Sequence, residues 1–145
     1  ERYQHYYYQE HDRYIKLFPG TLEMLACLKD SGLQLGIVTS KGKPGTARAT
    51  AFTGIDRYID VVITAHDVAK HKPEPEPIWQ ALAAINTDAT NAVYIGDTKY
   101  DILCGKNAGC LTLGVSWGLD SPEELKSLQP AGILAEWGDL PAYLK

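Results

Sequence analysis

The chain alternates short apolar runs with segments of helical character, and this alternation limits the fold more than any other feature of the sequence. The runs are uniformly apolar and cover residues 33–38, 61–64, 92–95 and 111–115, with a shorter run at 133–134. Such runs are typical of strands in a parallel sheet that helices cover on both faces. The pattern therefore predicts an α/β fold with a parallel sheet and helices on both faces.

Start and stop signals predict helices in the intervals between these runs. They include a glycine just after three of the helices and one capping box with proline in the first turn. The first predicted helix has Thr21 as its cap, and the second covers residues 44–53. The third contains Ile78, Leu82 and Ile85, the fourth covers residues 101–108, and the fifth begins at Ser121.

The first 17 residues form one more predicted helix. One face of this helix, at a period of 3.6 residues, contains Tyr3, Tyr7, His11 and Tyr14. We interpret this stripe as a packing face, because few cations are interleaved with the rings, as a base-stacking surface would require. Pro19 and Gly20 end the helix.

Composition narrows the class of protein. The length of 145 residues is close to one average domain. The formal charge of -4, from 18 acidic against 14 basic residues, argues against a general nucleic-acid binder. No apolar run approaches the roughly 18 residues of a membrane span, and no signal-peptide pattern opens the chain. Cys27, Cys104 and Cys110 lack metal-site spacing, and we expect buried thiols in a reducing compartment, hence a cytoplasmic protein.

Polar residues follow the ends of four apolar runs. Residues 39–41 follow the first run, a loop containing Lys72 follows the second, Asp97 follows the third, and residues 116–118 follow the fourth. Chemistry in a parallel sheet is located at the carboxyl ends of the strands. We therefore expect these groups to meet at one rim of the sheet.

Asp97 and Asp101 form the most informative motif, G-D-x-x-x-D. The glycine lets the chain leave the strand sharply, which presents Asp97 at the rim with Asp101 one helical turn further. Mg²⁺ usually takes one or two carboxylates, keeps several waters and completes its shell with substrate phosphate. The structural alternative is a helix N-terminus, where the dipole favours acids.

The hydroxyl and lysine positions also have a chemical and a structural interpretation. The hydroxyls of Thr39 and Ser40, with the amides after them, suit phosphate oxygens, or they simply cap a helix. Alternate prolines stiffen the segment after Lys72, which suits a lysine aimed inward as a point charge. A solvated loop with charges of both signs is the alternative. Together the groups make a set suited to phosphate and magnesium.

These segments resemble motifs of the haloacid dehalogenase superfamily. The matching parts are Thr39 after a strand, Lys72 in K-P-E-P-E-P, and G-D-x-x-x-D at 96–101. T-G-I-D at 53–56 and G-V-S-W-G at 114–118 are similar to the phosphoglycolate phosphatases and a bacterial pyrophosphatase group of that superfamily. The resemblance implies that residues 1–17 are the last helix of a helical cap and residues 18–145 a Rossmann-like core.

The resemblance implies a Mg²⁺-dependent phosphohydrolase that works through an aspartyl-phosphate. Its partner is a small phosphorylated substrate such as phosphoglycolate, or pyrophosphate, and no nucleic acid or membrane. The resemblance implies that Thr39 binds phosphate, with Ser40 and Lys41 beside it. Lys72 would neutralise charge on the nucleophile and the phosphoryl group. Asp97 would bind Mg²⁺, and Asp101 would either support the metal shell or orient Lys72.

One motif of the family is absent. No Asp-x-Asp occurs between residues 1 and 145, whereas the family carries its nucleophile, its general acid/base and one metal ligand in such a motif on the first, central strand. We therefore expect the chain by itself to lack turnover, and its sheet to be divided into two halves. A non-catalytic module of the same fold that keeps phosphate or Mg²⁺ binding is the alternative function. The sequence leaves the oligomeric state open.

Overall fold

A computed structural model describes residues 18–144, so the helix expected over residues 1–17 lies outside the described part of the chain. The chain divides into two compact units, one ending at His66 and the other beginning at Asp67. Within residues 18–144, no helix has the length and apolar character needed to cross a membrane.

The first unit contains one parallel pair of short strands with two helices. Its ladder places Gly36 opposite Val61 and Val38 opposite Ile63. The elements are α1 (Thr21–Asp30), β1 (Gly36–Val38), α2 (Lys43–Thr53), a 3₁₀ turn (Ile55–Tyr58) and β2 (Val61–Ile63).

Strand β1 is shorter than the apolar run that predicted it. Leu33 lies before the strand with 40% of its surface exposed, which corrects the expectation of a buried strand from residue 33. Leu35 pairs with Asp60 instead of joining the ladder: its N–H donates to Asp60 Oδ2 at 2.8 Å, and the Asp60 N–H donates to its carbonyl at 2.7 Å. An aspartate side chain thus takes the amide, and the ladder begins only at Gly36.

Helix α1 begins where the sequence predicts, but Thr21 is not its cap. Gly20 precedes the helix with a φ of +86°, a conformation that a glycine adopts without strain. The Thr21 hydroxyl instead donates to the carbonyl of Phe18 at 2.6 Å. The hydroxyl therefore fixes the turn before the helix and leaves the first helical amides without a side-chain cap.

The second unit is a three-stranded parallel sheet with helices between its strands. The strand order is β3-β4-β5, with Val93 opposite Leu111 and Leu113 opposite Gly132. The elements are α3 (Glu76–Ala84), β3 (Val93–Gly96), α4 (Lys99–Ala108), β4 (Leu111–Val115), α5 (Pro122–Lys126), β5 (Gly132–Leu134) and a closing 3₁₀ segment (Trp137–Tyr143).

Large side chains from several elements fill the core of this unit. Ile102 of α4, Leu113 of β4, Leu125 of α5 and Leu134 of β5 are completely buried, and Leu140 is 2% exposed. Burying each such side chain stabilises a fold by roughly 1.5–3 kcal/mol relative to leaving it in water. This packing holds the carboxyl end of β3, and the residues that follow it, in a fixed position.

The observed pairings confirm the α/β class, since every ladder among the described strands is parallel. The described strands form two sheets rather than one, as expected for a sheet divided into halves. The capping box that predicted α5 is present, with Glu124 N–H donating to Ser121 Oγ at 3.2 Å. Helix α4 begins at Lys99, two residues earlier than predicted, because Thr98 caps it.

Candidate active site

A buried ion pair joins Lys72 to Asp101 in the second unit. The distance from Lys72 Nζ to Asp101 Oδ1 is 2.6 Å, and only 12% and 9% of the two side chains are exposed. The alternative of a solvated loop is therefore wrong for Lys72. Two charges so far removed from water persist only when they are paired and further hydrogen-bonded.

Asp101 receives the further hydrogen bonds at its other oxygen. Asp101 Oδ2 accepts from the N–H of Asp97 at 3.0 Å and from the N–H and hydroxyl of Thr98 at 3.2 and 3.1 Å. The Tyr94 hydroxyl lies 3.4 Å from Oδ1, as a long hydrogen bond. Gly96 is required here, since a Cβ at this position would lie 2.5 Å from Asp101 Cγ.

The electrostatics of this cluster favour an ionised Asp101 beside a neutral tyrosine. Burial by itself raises the pKa of Asp101, but the Lys72 ammonium and the donated hydrogen bonds outweigh burial and hold that pKa below its usual range. Burial, reinforced by the Asp101 charge, raises the pKa of Tyr94. Tyr94 therefore keeps its proton and acts as a donor.

Helix α4 holds the segment of Lys72 through two further side chains, one and two turns beyond the carboxylate of the ion pair. Cys104 Sγ donates to the carbonyl of Glu74 at 3.1 Å, and Asn107 Nδ2 donates to the carbonyl of Pro73 at 3.0 Å. The Lys72–Pro73 peptide bond is cis. Sequence reasoning missed these two positions, although their regular spacing of three residues along one helix was a usable signal.

Asp97 follows β3 and lies half-buried beside this cluster. Its Oδ2 accepts from the N–H of Leu119 at 2.9 Å, and its carbonyl accepts from the N–H of Asp120 at 3.0 Å. No hydrogen bond from the described residues reaches Asp97 Oδ1. One carboxylate oxygen is thus oriented by the protein, and the other remains available to a ligand.

The donor set fits Mg²⁺ as far as a single carboxylate allows. Within residues 18–144 there is no group of three or more His, Cys, Asp or Glu side chains that would enclose a metal ion. Mg²⁺ is ordinarily held by one or two carboxylates together with waters and substrate phosphate, so it does not need such a group. Asp97 meets this requirement, whereas both oxygens of Asp101 already accept hydrogen bonds.

In the first unit, Thr39, Ser40 and Lys41 form a loop directly after β1. Thr39 Oγ1 accepts from the N–H of Lys41 at 3.1 Å, and Ser40 is exposed. The cap of α2 is Gly42, which provides no side-chain hydrogen bond. The alternative that Thr39 or Ser40 simply caps this helix is therefore wrong.

Two contacts from the strand β2 side fix this loop. The N–H of Thr39 donates to the carbonyl of Ile63 at 3.0 Å, and His66 Nδ1 accepts from the N–H of Lys43 at 3.0 Å. Desolvation by its neighbours lowers the pKa of Lys41 from its usual value, although the side chain keeps contact with solvent. The loop thus carries a hydroxyl and a cation on a backbone held by both main-chain and side-chain hydrogen bonds.

The structure brings Lys72, Asp97 and Asp101 together within the second unit, and Thr39 with its neighbours forms a separate cluster in the first. The meeting of the two clusters at one rim stays a prediction. Cys27 departs from the expectation of buried thiols, since it is exposed, while Cys104 and Cys110 are buried.

A shallow cavity of about 400 Å³ lies elsewhere in the second unit. It is lined by residues of α5, β5 and the segment between them, including Lys126, Gln129 and Ile133. None of the catalytic, phosphate-binding or metal-binding residues predicted from the sequence lines it.

The described part of the chain is a parallel α/β protein whose acidic and lysine side chains cluster at the carboxyl end of β3, an arrangement typical of phosphate- and metal-using enzymes. The family model for haloacid dehalogenase-like hydrolases matches residues 1–115. The chain therefore belongs to the haloacid dehalogenase-like hydrolase family, which confirms the resemblance.

Curated relatives agree with this assignment. The chain is 37% identical over 143 residues to a pyrophosphatase PpaX of Listeria monocytogenes, with 99% of the chain and 66% of that protein covered. It is 36% identical over 138 residues to a pyrophosphatase PpaX of Bacillus velezensis, with 95% and 64% covered. The chain thus spans slightly less than two thirds of the length of these curated relatives.

A crystal structure of a predicted phosphoglycolate phosphatase from Haemophilus somnus superposes with a TM-score of 0.90 at 24% identity. The superposition covers 99% of this chain and 64% of that one. At this identity the likeness establishes the fold.

Proposed function

We propose that the chain contributes the lysine, metal and phosphate groups of a Mg²⁺-dependent phosphohydrolase, acting on a small phosphate ester such as phosphoglycolate, or on pyrophosphate. The observation that carries this proposal is the buried pair of Lys72 and Asp101, hydrogen-bonded to the backbone of Asp97 at the carboxyl end of β3. The relatives called pyrophosphatases and the family membership support it.

In this proposal Lys72 neutralises negative charge on the phosphoryl group and on the nucleophile. Asp101 orients the ammonium group, because it holds Lys72 Nζ at 2.6 Å while the backbone and Thr98 hold its other oxygen. A preorganised cation is effective in such a site because it needs no reorganisation as charge develops.

Asp97 is the proposed metal ligand. Bound Mg²⁺ would supply electrostatic stabilisation of the phosphoryl oxygens. Asp97 would hold the ion through the carboxylate oxygen that no described residue engages, while the Leu119 amide fixes the other oxygen. Thr39 would bind phosphoryl oxygens through its hydroxyl and the amides after it, with Ser40 and Lys41 beside it.

The nucleophile is proposed to lie outside residues 1–145. The chain contains no Asp-x-Asp, and it covers 64–66% of its pyrophosphatase relatives. We infer that residues 1–17 belong to a helical cap and that residues 18–145 are a core that receives its first strand, with the nucleophile, from a preceding segment.

The test compares a protein of residues 1–145 with a longer protein that contains these residues together with an Asp-x-Asp-Gly-Thr segment. Phosphate release from phosphoglycolate, pyrophosphate and a generic aryl phosphate is measured with Mg²⁺. We expect turnover from the longer protein and none from residues 1–145 alone. If residues 1–145 alone showed turnover that Asp97→Asn abolishes, the nucleophile would have been assigned to the wrong place.

Three variants of the longer protein test the individual roles. Asp97→Asn should abolish activity and weaken Mg²⁺ dependence together, whereas Lys72→Ala should abolish activity while the metal still binds. Thr39→Ala should cost about 1–3 kcal/mol for a lost hydrogen bond to a charged group, or roughly 5- to 150-fold in rate. Lys70→Ala, which removes an exposed lysine of the same loop, is the matched control.

Unchanged metal affinity in Asp97→Asn, or full activity in Lys72→Ala, would contradict the assigned roles. A longer protein that binds Mg²⁺ and phosphate through these residues and turns over none of the three substrates would favour the non-catalytic module.

A further inference from the structure

The loop after β4, residues 116–120, is fastened to the carboxyl end of β3 through Asp97. The N–H of Leu119 donates to Asp97 Oδ2 at 2.9 Å, and the N–H of Asp120 donates to the Asp97 carbonyl at 3.0 Å. Asp120 Oδ2 in turn accepts from the N–H of Lys99 at 2.7 Å, in the first turn of α4. Side chain and main chain of Asp97 are thus both bound by one loop.

The base of the loop is anchored on the other side. The N–H of Ser116 donates to the carbonyl of Leu134 at 2.9 Å, which continues the ladder to β5. The ring of Trp117 packs edge-on against Trp137, with 5.1 Å between ring centroids and 67° between ring planes. The loop is thus held by contacts at its base as well as at Asp97.

Gly118 permits the close approach of the loop to the carboxylate. A Cβ at position 118 would lie 2.6 Å from Asp97 Oδ2 and 2.8 Å from Asp97 Cγ, and closer still to its Cβ. Any side chain here would therefore push either the loop or the carboxylate out of position. The adjoining side chain of Leu119 is 80% exposed, so packing of that side chain does not explain the position of the loop.

We propose that Gly118 and the backbone amide of Leu119 are positioning groups that orient the Asp97 carboxylate for a divalent cation. The proposal deepens the proposed function and rests on the metal role of Asp97 stated there. The amide binds one carboxylate oxygen, which sets the rotation of the group and leaves Oδ1 directed to a ligand. Partners of this kind typically change metal affinity by about 10- to 100-fold when they are removed.

A purely structural role for the loop makes a different prediction. If Gly118 only allows the loop to close, Gly118→Ala lowers the stability of the fold and leaves cation binding at Asp97 unchanged once the variant is folded. If it positions the carboxylate, cation affinity falls in the folded variant.

The experiment uses Mn²⁺ as a paramagnetic probe for the Mg²⁺ site, because it accepts the same oxygen ligands and reveals weak binding by broadening nearby amide signals. The broadening of the amide signals of residues 96–98 and 119 is followed as Mn²⁺ is added to the protein, and Mg²⁺ is then added as competitor. Asp97→Asn identifies the site, Gly118→Ala tests the inference, and Gly138→Ala is the matched control. A Cβ at Gly138 meets nothing closer than Glu136 Oε2 at 3.8 Å.

We expect Mn²⁺ broadening that Mg²⁺ reverses, its loss in Asp97→Asn, an affinity about tenfold weaker in Gly118→Ala, and no change in Gly138→Ala. Equal affinity in Gly118→Ala and in the parent, with Asp97→Asn still impaired, overturns the inference and leaves the metal role intact. Binding that is absent from the parent, or insensitive to Asp97→Asn, overturns the metal role itself and the inference with it.

A second measurement does not depend on the Gly118 variant being folded. Hydrogen exchange of the Leu119 amide should be slow in the parent and at least about tenfold faster in Asp97→Ala, which removes the acceptor. A Leu119 amide that exchanges at the unprotected rate in the parent contradicts the proposed contact.

Discussion

Each of the two units contains a lysine–aspartate ion pair. The two pairs have nearly the same N–O distance, but they differ in burial and in the hydrogen bonds that their aspartates accept. Lys29 and Asp60 of the first unit lie 2.7 Å apart with 32% and 33% of their side chains exposed. Lys72 and Asp101 of the second unit lie 2.6 Å apart with 12% and 9% exposed. The distance between two charges therefore says little about their energetic role, and the surroundings decide it.

The surroundings differ in the number of donors and in the core beneath them. Asp60 accepts one additional bond, from Leu35, and its pKa is lowered chiefly by the hydrogen bond from Lys29. Asp101 accepts from three backbone or side-chain donors besides Lys72 and Tyr94, above a core of fully buried residues. In the described part of the first unit, Ile63, which is 6% exposed, is the one buried hydrophobic side chain.

The largest expected difference between the pairs follows from removing the lysine. Lys72→Ala leaves the Asp101 charge buried without its partner, and we expect a loss of about 3–5 kcal/mol in the free energy of unfolding. Urea denaturation followed by circular dichroism measures it. The double variant Lys72→Met with Asp101→Asn should recover part of the stability, because it removes both buried charges while the Asn side-chain oxygen can still accept from the amides of Asp97 and Thr98.

A Lys72→Ala variant as stable as the parent would break the comparison. It would mean that water reaches Asp101 freely and that the two pairs are energetically alike.

The cysteines allow a second comparison of the units. Burial raises the pKa of Cys104 to about 11 and raises the pKa of Cys110, whereas Cys27 on α1 is exposed. Because the thiolate is the reactive form, we expect iodoacetamide at pH 8 to label Cys27 more than about a hundredfold faster than Cys104 in the folded protein. Peptide mapping after timed labelling measures the rates.

The matched control for labelling is the same reaction in concentrated urea, where all three thiols should react at similar rates. Rapid labelling of Cys104 in the folded protein would show that helix α4 opens readily from the segment it holds.

Asn107→Ala should give a smaller effect of about 0.5–1.5 kcal/mol, since it removes one hydrogen bond to the carbonyl of Pro73. The change also loosens the segment that carries Lys72. We therefore expect the activation free energy of the longer protein to rise by more than its free energy of unfolding falls. Asn91→Ala, in an exposed turn, is the control. A loss confined to stability would mean that this bond does not orient the lysine.

Lys29→Ala should give the smallest effect of the series, because water and ions screen an exposed pair. The effect should shrink further in about 1 M salt, where the screening length is roughly 3 Å, while that of Lys72→Ala should persist. Thermal melts of both variants at low and high salt compare them directly. An effect of Lys29→Ala that is independent of salt would indicate a packing role for the lysine stem.

The sequence predicted the second unit better than the first. Its strands are paired within a dense core, so the apolar runs at 92–95 and 111–115 correspond to β3 and β4 within one residue. The apolar run at 33–38 predicted a strand that is longer than β1. The reason is that Asp60, 25 residues away from Leu35, accepts a hydrogen bond from the Leu35 amide, which the local pattern assigns to the strand.

The candidate site divides in the same way. The proximity of Asp97 and the Lys72–Asp101 pair could be predicted, because strand ends and a proline-stiffened segment are visible in the order of residues. The contacts of Asn107, Cys104 and Gly118 were not found, since they join segments between 21 and 34 residues apart and depend on side-chain geometry. The spacing of residues 101, 104 and 107 along one helix marks the donors, but no local pattern marks the partners that they bind.

The edge-on pair of Trp117 and Trp137 has an optical consequence. All three tryptophans of the chain, these two and Trp79, belong to the second unit, so tryptophan emission during unfolding reports on that unit. Two indoles 5.1 Å apart also couple electronically and give a paired band in the ultraviolet circular dichroism spectrum. The loss of that band would signal, without any label, the moment at which the loop beside Asp97 lifts away.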